Sequence, residues 1–298
     1  MDEAKQFINS GYLFYRNLVN KDLCKKLHNA IAKNRRVSKN IFLSRKDYFS
    51  KQKKNKEFLY KSNILDNFNL DFVFKNKLFL KKVKLILGKD FEVYAKRIIC
   101  GIPHKFFPTW ISHKMELDEN NMGPFIKQKY RDIRYFHGID FHQDFIDFLL
   151  ERGNFITVYV YLSKVTKEMS PLNVIPGTHL GGPSIFPHNL NQNKGKIIYK
   201  ADGGKVINSK NKMLIGDAGD VGMWHSCLLH GTQINTASIP RFSLRLILRQ
   251  KKNYNNSLMN RVNKKIKNIV SFEKMFDHSR YKTLGIKKKN TYRLKLTS

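Results

Sequence analysis

A β-rich core decorated by helices, folded as a sandwich or a closed antiparallel barrel, is the class predicted by three features of this 298-residue chain. Past residue 139 the apolar residues come in short strand-like runs, Gly, Pro and Asn turn signals separate those runs, and no long helical period intervenes. A hydrophobic fraction of 41% and an aromatic fraction of 12% are enough to fill a substantial core at this length. No internal repeat and no Pro/Ser-rich linker divides the chain.

The helices gather in the N-terminal third. A short extended stretch from Gly11 to Leu18 leads to Asn20, a suitable N-cap, and Leu23, Leu27 and Ile31 then recur four apart. Residues 34–56 carry nine Lys and Arg among few apolar residues and read as solvated surface or loop. Over 71–88 the mixed period of Leu78, Leu80, Val83, Leu85 and Leu87 predicts a helix ended by Gly88. The β-branched and aromatic run "FEVYAKRIICGI" reads as a strand. Pro103 to Gly138 shows no period, as expected of a binding loop or cover. Strands are then expected at 155–162, 172–177, 196–199, 212–216, 220–229 and 241–249. Residues 251–298 hold 14 Lys and Arg against Glu273 and Asp277. Leu258, Val262, Ile266, Ile269 and Phe276 nevertheless keep helical spacing, which predicts a helix packed on the core with a basic outer face.

The formal charge of +33 invites a polyanionic partner. Lys, Asn and Ile are abundant throughout, however, and no basic stripe with interleaved stacking aromatics marks a nucleic-acid module. A small-molecule partner, anionic in keeping with the charge, is expected ahead of nucleic acid. The N-terminus has acidic residues where a signal peptide has basic ones, and the longest apolar run, Phe155 to Leu162, cannot span a bilayer. Cys24, Cys100 and Cys227 are isolated, in keeping with reduced thiols. A soluble, cytoplasmic protein is expected; oligomeric state leaves no mark on the sequence.

Chemistry concentrates at "DFHQDF", residues 140–145. His142 and Asp144 stand two apart, so on a strand they leave one face with Cα atoms about 7 Å apart, near enough to share an ion. An HxD pair alone is common. His230, at the end of another strand-like run and followed by Gly231, completes two imidazoles and a carboxylate, the set that holds Fe(II) on one octahedral face and leaves three positions open. In "RFSLRLIL", Phe242, Leu244, Leu246 and Leu248 share one strand face and Arg241, Ser243 and Arg245 the other. If the second face lines the barrel, Arg241 is a buried cation in need of an anion. The distal carboxylate of 2-oxoglutarate fits that need through a bidentate pair.

Five motifs now occur in order. HxD, the downstream His and an Arg eleven residues beyond it are joined by "SPLNVIPGTH" (170–179) and "GDVGMWHSCLLHGTQINTAS" (219–238), and "SGYLFYRNLVNKDLCKKL" precedes them as an opening strand and helix. Over roughly residues 5–250 the chain resembles the phytanoyl-CoA dioxygenase family of Fe(II)/2-oxoglutarate oxygenases, with Ser170 where the family usually has glycine. The resemblance implies a mainly β fold with flanking helices and a double-stranded β-helix (jelly-roll, cupin-like) core. It implies a dioxygenase domain over 1–250, and leaves 251–298 as a basic C-terminal extension.

Carried over by position, the resemblance implies His142, Asp144 and His230 as iron ligands and catalytic centre, and Arg241 as the 2-oxoglutarate anchor. Thr232 would add a hydroxyl to the same carboxylate, Tyr159 would flank the cosubstrate, and Lys96 and Gln128 are further cosubstrate candidates. Fe(II), 2-oxoglutarate and O2 are the implied cofactors, and hydroxylation of a small organic molecule with release of succinate and CO2 the implied reaction. Halogenating relatives lack the carboxylate retained here as Asp144. Two alternatives remain open: a catalytically inactive, metal-binding jelly-roll that binds a ligand such as a glycan, and an oxygenase acting on a polyanion such as nucleic acid. His104, His113, His137, His188, His225 and His278 match no motif and read as loop or surface residues, and His179 as structural. Phe145, Asp147 and Trp110 are candidate substrate contacts, with packing the simpler role for the aromatics.

Overall fold

In the computed structural model, the described residues are 2–51, 62–111, 121–146, 153–193, 195–252, 256–266, 276–277 and 279–284. Helix α1 (Glu3–Ser10) begins at Asp2, whose carboxylate accepts the Ala4 amide, and ends at Gly11 in the left-handed region with φ 79°. Glycine is required there, because a Cβ would stand 2.5 Å from Nδ1 of His179. Strand β1 (Tyr12–Tyr15) follows, then α2 (Lys21–Asn34), with Asn20 as its N-cap as the spacing predicts. Its buried stripe is Cys24, Leu27 and Ile31, while Leu23 is largely exposed.

Within the stretch read as solvated surface or loop, the described residues 34–51 depart from that reading. Ile41, Phe42 and Leu43 are buried, Phe42 packing on Phe107 and Leu43 bonding to the Phe125 carbonyl, and α3 (Arg45–Lys51) follows. A periodicity argument misses three adjacent apolar residues that dock as a short irregular segment. Over 71–88 the single expected helix is two, α4 (Asp71–Phe74) and α5 (Lys77–Leu87). Asn76 turns extended and caps α5 by accepting the Phe79 amide, which breaks the run; Gly88 closes it.

The remaining strands are β2 (Phe91–Gly101), β3 (Arg134–Phe136), β4 (Ile139–His142), β5 (Phe155–Tyr161), β6 (Leu172–Val174), β7 (Asn189–Asn193), β8 (Lys196–Lys200), β9 (Val206–Ser209), β10 (Lys212–Leu214), β11 (Val221–His225), β12 (His230–Thr232) and β13 (Arg241–Gln250). A six-stranded sheet runs β1-β11-β5-β13-β2-β3, a four-stranded sheet β10-β6-β12-β4, and β7-β8-β9 form a third. All neighbours are antiparallel except β2 and β3. The mainly β, jelly-roll class with flanking helices is thus the observed architecture.

Alternation on the six-stranded sheet decides what faces the site. Phe242, Leu244, Leu246 and Leu248 of β13, with Ile156, Val158 and Val160 of β5, join the core shared with α1, α2 and α5. The opposite face carries Arg241, Ser243, Arg245 and Ile247, in register with Tyr161, Tyr159 and Thr157 on β5 and with Ile99, Arg97 and Ala95 on β2. That face meets the four-stranded sheet through Ile99, Tyr159, Leu172, Val174, Leu214, Trp224 and Leu228.

Part of the C-terminal expectation is observed: a helix, Leu258–Asn263, buries Leu258, Met259 and Val262 in the main core. Ile269, Asp147, His113 and His278 lie outside the described residues, as do 52–61 and 112–120. The three cysteines are buried and unpaired, and among the described residues no helix is long and apolar enough to cross a membrane.

Candidate functional site

His142 closes β4 and His230 opens β12; the two are direct cross-strand partners with ring centroids 4.3 Å apart. Asp144 is not on the strand, as a simple i, i+2 reading expects, but begins the 3-10 turn that follows it. Gln143, between them, is fully buried and points its amide into the backbone. It donates to the Gly182 and Cys227 carbonyls and accepts the Ser184 amide, so the turn that delivers Asp144 is fixed on three sides. One nitrogen from each histidine and one Asp144 oxygen all lie within 4.8 Å of one another.

Protonation follows from the hydrogen bonds. Nδ1 of His142 lies 2.8 Å from the Asp140 carbonyl and Nδ1 of His230 lies 2.9 Å from that of Leu228. A carbonyl only accepts, so each Nδ1 carries a proton, which leaves Nε2 as the atom whose lone pair a neutral ring offers to a metal. Burial pushes His230 down to about 3, against the pull of Asp144, which keeps the ring neutral near pH 7.

Asp144 is 1% exposed and fully engaged. One oxygen accepts from the Thr157 hydroxyl (2.5 Å) and Trp224 Nε1 (3.0 Å), and stands 3.3 Å from Nε2 of His230. The other accepts from Arg245. Burial would push this carboxyl up, but the Arg245 guanidinium outweighs it, together with His230, His142 and the Thr157 hydroxyl. The group is held well below the usual carboxylate range.

Arg241 lies on the same sheet face, 1% exposed. Nη1 donates to the Ser243 hydroxyl at 2.8 Å, Nε has no hydrogen-bond partner, and no carboxylate among the described residues pairs with it. Gly101, its register partner, lets it approach: a Cβ there would be 3.4 Å from Nε, Nη2 and the Cβ of Ser170. The hydroxyls of Ser170 and Thr232 are likewise buried without partners. A buried cation and two orphan hydroxyls are costly unless an acceptor completes them, and an anion is the acceptor this donor set suits. Tyr159, opposite Arg245 in register, packs edge-on against Trp224 at 5.0 Å. Burial raises its phenol, against the guanidinium charges of Arg245 and Arg241.

Lys96 stands apart. It pairs in register with Leu246, on the helix-facing side, and its ammonium lies 3.7 Å from Asp66. Gln128 is exposed. Of the residues that orient Asp144, Arg245 and Thr157 carried no motif and Trp224 lies inside the 219–238 motif without a role of its own; the available signal was that Arg245 repeats the strand face of Arg241 four residues on.

Several histidines read as surface are buried. His225 accepts the Cys227 amide at Nδ1 (3.1 Å) and pairs with Asn263 through Nε2 (2.9 Å). His188 is buried with no hydrogen bond at either ring nitrogen, and burial pushes it down to about 3. His137 is buried and lies 2.8 Å from a ring nitrogen of His104, which is exposed as expected. His179 is structural, its Nε2 3.2 Å from the Ile8 carbonyl. Phe145 and Trp110 pack among apolar side chains.

The family model described as Phytanoyl-CoA dioxygenase (PhyH) matches residues 7–243. No curated protein matches. Similar solved structures include the non-heme alpha ketoglutarate dependent epimerase SnoN from nogalamycin biosynthesis, at 13% identity and TM-score 0.49, covering 83% of this chain and 81% of that one. The carbocyclase SnoK from the same biosynthesis gives 12%, 0.49, 91% and 92%, and EctD from S. alaskensis in its apoform 14%, 0.45, 83% and 76%.

Proposed function

The chain belongs to the phytanoyl-CoA dioxygenase family, and from that premise we propose that it is a non-haem Fe(II)/2-oxoglutarate-dependent oxygenase hydroxylating a small organic molecule, with release of succinate and CO2. The observation that carries this reading is the pairing of a His-Asp-His set with a buried, carboxylate-free Arg241 on the facing sheet. A metal-holding jelly-roll that merely bound a ligand would have no use for the second feature.

His142, Asp144 and His230 would hold the iron. When bound, iron with 2-oxoglutarate and dioxygen supplies the oxidation; the protein supplies coordination, orientation and shelter from water. His142 and His230 present Nε2 lone pairs because their Nδ1 protons are spent on backbone carbonyls. Asp144 stays ionised because Arg245 offsets its charge. Arg241 and Thr232 take the distal carboxylate of the cosubstrate, and Tyr159 walls it. Lys96, on the far face of β2, is left out of this set.

Residues 1–250 would form the catalytic unit, with 251–298 an extension anchored through Leu258, Met259 and Val262. Three buried, unpaired thiols suit a reducing compartment such as the cytoplasm.

The test is anaerobic addition of Fe(II) and 2-oxoglutarate, read as the visible metal-to-ligand charge-transfer band. The band is expected in the wild type, absent in His142→Ala and weakened in Arg241→Ala. A folded wild type with no band and no retained iron would hand the site to the binding-protein reading.

A further inference from the structure

The family match ends at residue 243, and the chain beyond it reaches back toward the candidate iron site at two points. At the first, Asn263 closes the helix Leu258–Asn263, and its Oδ1 lies 2.9 Å from Nε2 of His225. Nδ1 of His225 accepts the Cys227 amide at 3.1 Å, so Nε2 carries the proton and Asn263 accepts it. At the second, a short helix, Arg280–Thr283, sets its first residue on Asp202. Nη1 and Nη2 of Arg280 each donate to one oxygen of that carboxylate, at 3.0 and 2.8 Å. Asp202 also accepts the Ser184 hydroxyl at 3.1 Å and the Ile185 amide at 2.8 Å. The next residue, Phe186, packs against the rings of Phe276 and Tyr281, and its carbonyl accepts the Asp277 amide.

Both contacts converge on one side chain. The buried Gln143 amide donates to the Cys227 carbonyl, in the segment held by Asn263, and accepts the Ser184 amide, in the segment held by Arg280. Asp144 is the next residue. The first segment carries His230 as well, since Leu228 donates its amide to the His225 carbonyl and accepts Nδ1 of His230. We propose that Asn263 and Arg280 of the C-terminal extension are positioning residues for the iron site, bracing through His225 and Asp202 the two segments between which Gln143 sets Asp144. The effect on iron rests on the reading above; the brace of the turn does not. A buried amide that loses a partner is left desolvated and unpaired, so Gln143 follows the backbone groups it bonds. Holding those groups from behind keeps Asp144 within the narrow range of positions a metal ligand tolerates. The Arg280 fork, with one bond to each oxygen, also limits rotation of the Asp202 carboxylate more than a single point charge would.

The experiment titrates the full chain anaerobically with Fe(II) in the presence of 2-oxoglutarate, read by the charge-transfer band, and measures hydrogen exchange of the Phe145 amide in the metal-free protein. That amide donates to the Ser226 carbonyl at 3.2 Å, so it reports the turn without any metal. Losing the outer partners of metal ligands weakens metal binding by about tenfold or more. Asn263→Leu and Arg280→Met act on separate segments, so each should weaken Fe(II) binding about threefold and the two together about tenfold. Asn263→Asp keeps the acceptor for His225 and should stay near the wild type. Arg280→Lys keeps the charge without the fork and should recover part of the loss. In the metal-free double variant the Phe145 amide should lose protection while the amides of β13 keep theirs, a split that a general loss of stability would not produce. A wild type without the band removes the iron reading, and exchange at Phe145 then decides the brace alone. The proposal is overturned by unchanged exchange at Phe145 in the double variant or by equal loss there and in β13. Where the band forms, it is also overturned by wild-type Fe(II) affinity in the double variant.

Discussion

Arg245 donates through Nη2 to Oδ1 of Asp144, joining two buried residues that are 101 positions apart in the chain. Because one charge of the pair cannot stand alone in that interior, Arg245→Met should destabilise the metal-free protein by about 3 kcal/mol. A divalent ion on Asp144 replaces the missing positive charge, so saturating Fe(II) under anaerobic conditions should shrink the deficit. Denaturant unfolding with and without metal measures both numbers. An identical deficit in the two states would show that Asp144 is not a ligand.

His225 gives the fold an acid-sensitive latch. Its Nδ1 accepts the Cys227 amide, so the proton sits on Nε2, facing Asn263. Adding a second proton would set N–H against N–H, and burial pushes the group down to about 4. A histidine lowered in the folded state binds protons first in the unfolded chain. Stability is therefore intact above the ordinary histidine value near 6.5 and falls as pH drops toward about 4. The slope from this group is about 1.4 kcal/mol per pH unit. Urea midpoints between pH 7 and 4.5 should move down in the wild type and less in His225→Gln.

The sequence held the alternation of β13, the Asn20 cap and the Gly88 stop, because each is a local pattern with a local cause; of the strand runs from 155 onward, 220–229 ends at His225 in a turn, and β7 and β9 lie outside the expected runs. His142, Asp144, His230 and Arg241 could be picked out because residue type and spacing alone suggest their chemistry. Arg245, Trp224 and Thr157 could not: what makes them important is a carboxylate brought to them by a turn fixed through Gln143, a long-range event with no periodicity. Lys96 and Arg97 show the limit most plainly. They are adjacent in sequence and alike in charge, and only the register of β2 against β13 tells which of them shares a face with Arg245.

Ser170 holds φ at 56°, a left-handed conformation disfavoured for a residue with a Cβ, and its hydroxyl is buried without a partner. Removing both should outweigh the added freedom of glycine in the unfolded chain. Ser170→Gly is therefore expected to stabilise the metal-free protein by up to about 1 kcal/mol. Thermal unfolding decides it, and a loss of stability would mean that the hydroxyl finds a partner in solution.

Thr232 separates a structural from a ligand-binding role by sign. Its hydroxyl is buried and unpartnered, so replacing it with the isosteric Val should leave the metal-free protein as stable as before, or more stable by up to about 1 kcal/mol. If the hydroxyl donates to the distal carboxylate beside Arg241, the same substitution removes a hydrogen bond to a charged group, worth about 1.5 kcal/mol or more, and 2-oxoglutarate affinity should fall about tenfold. Titration of the charge-transfer band gives the affinity, and unfolding gives the stability. A merely structural Thr232 would lose stability and keep affinity, the reverse of what the orphan hydroxyl predicts.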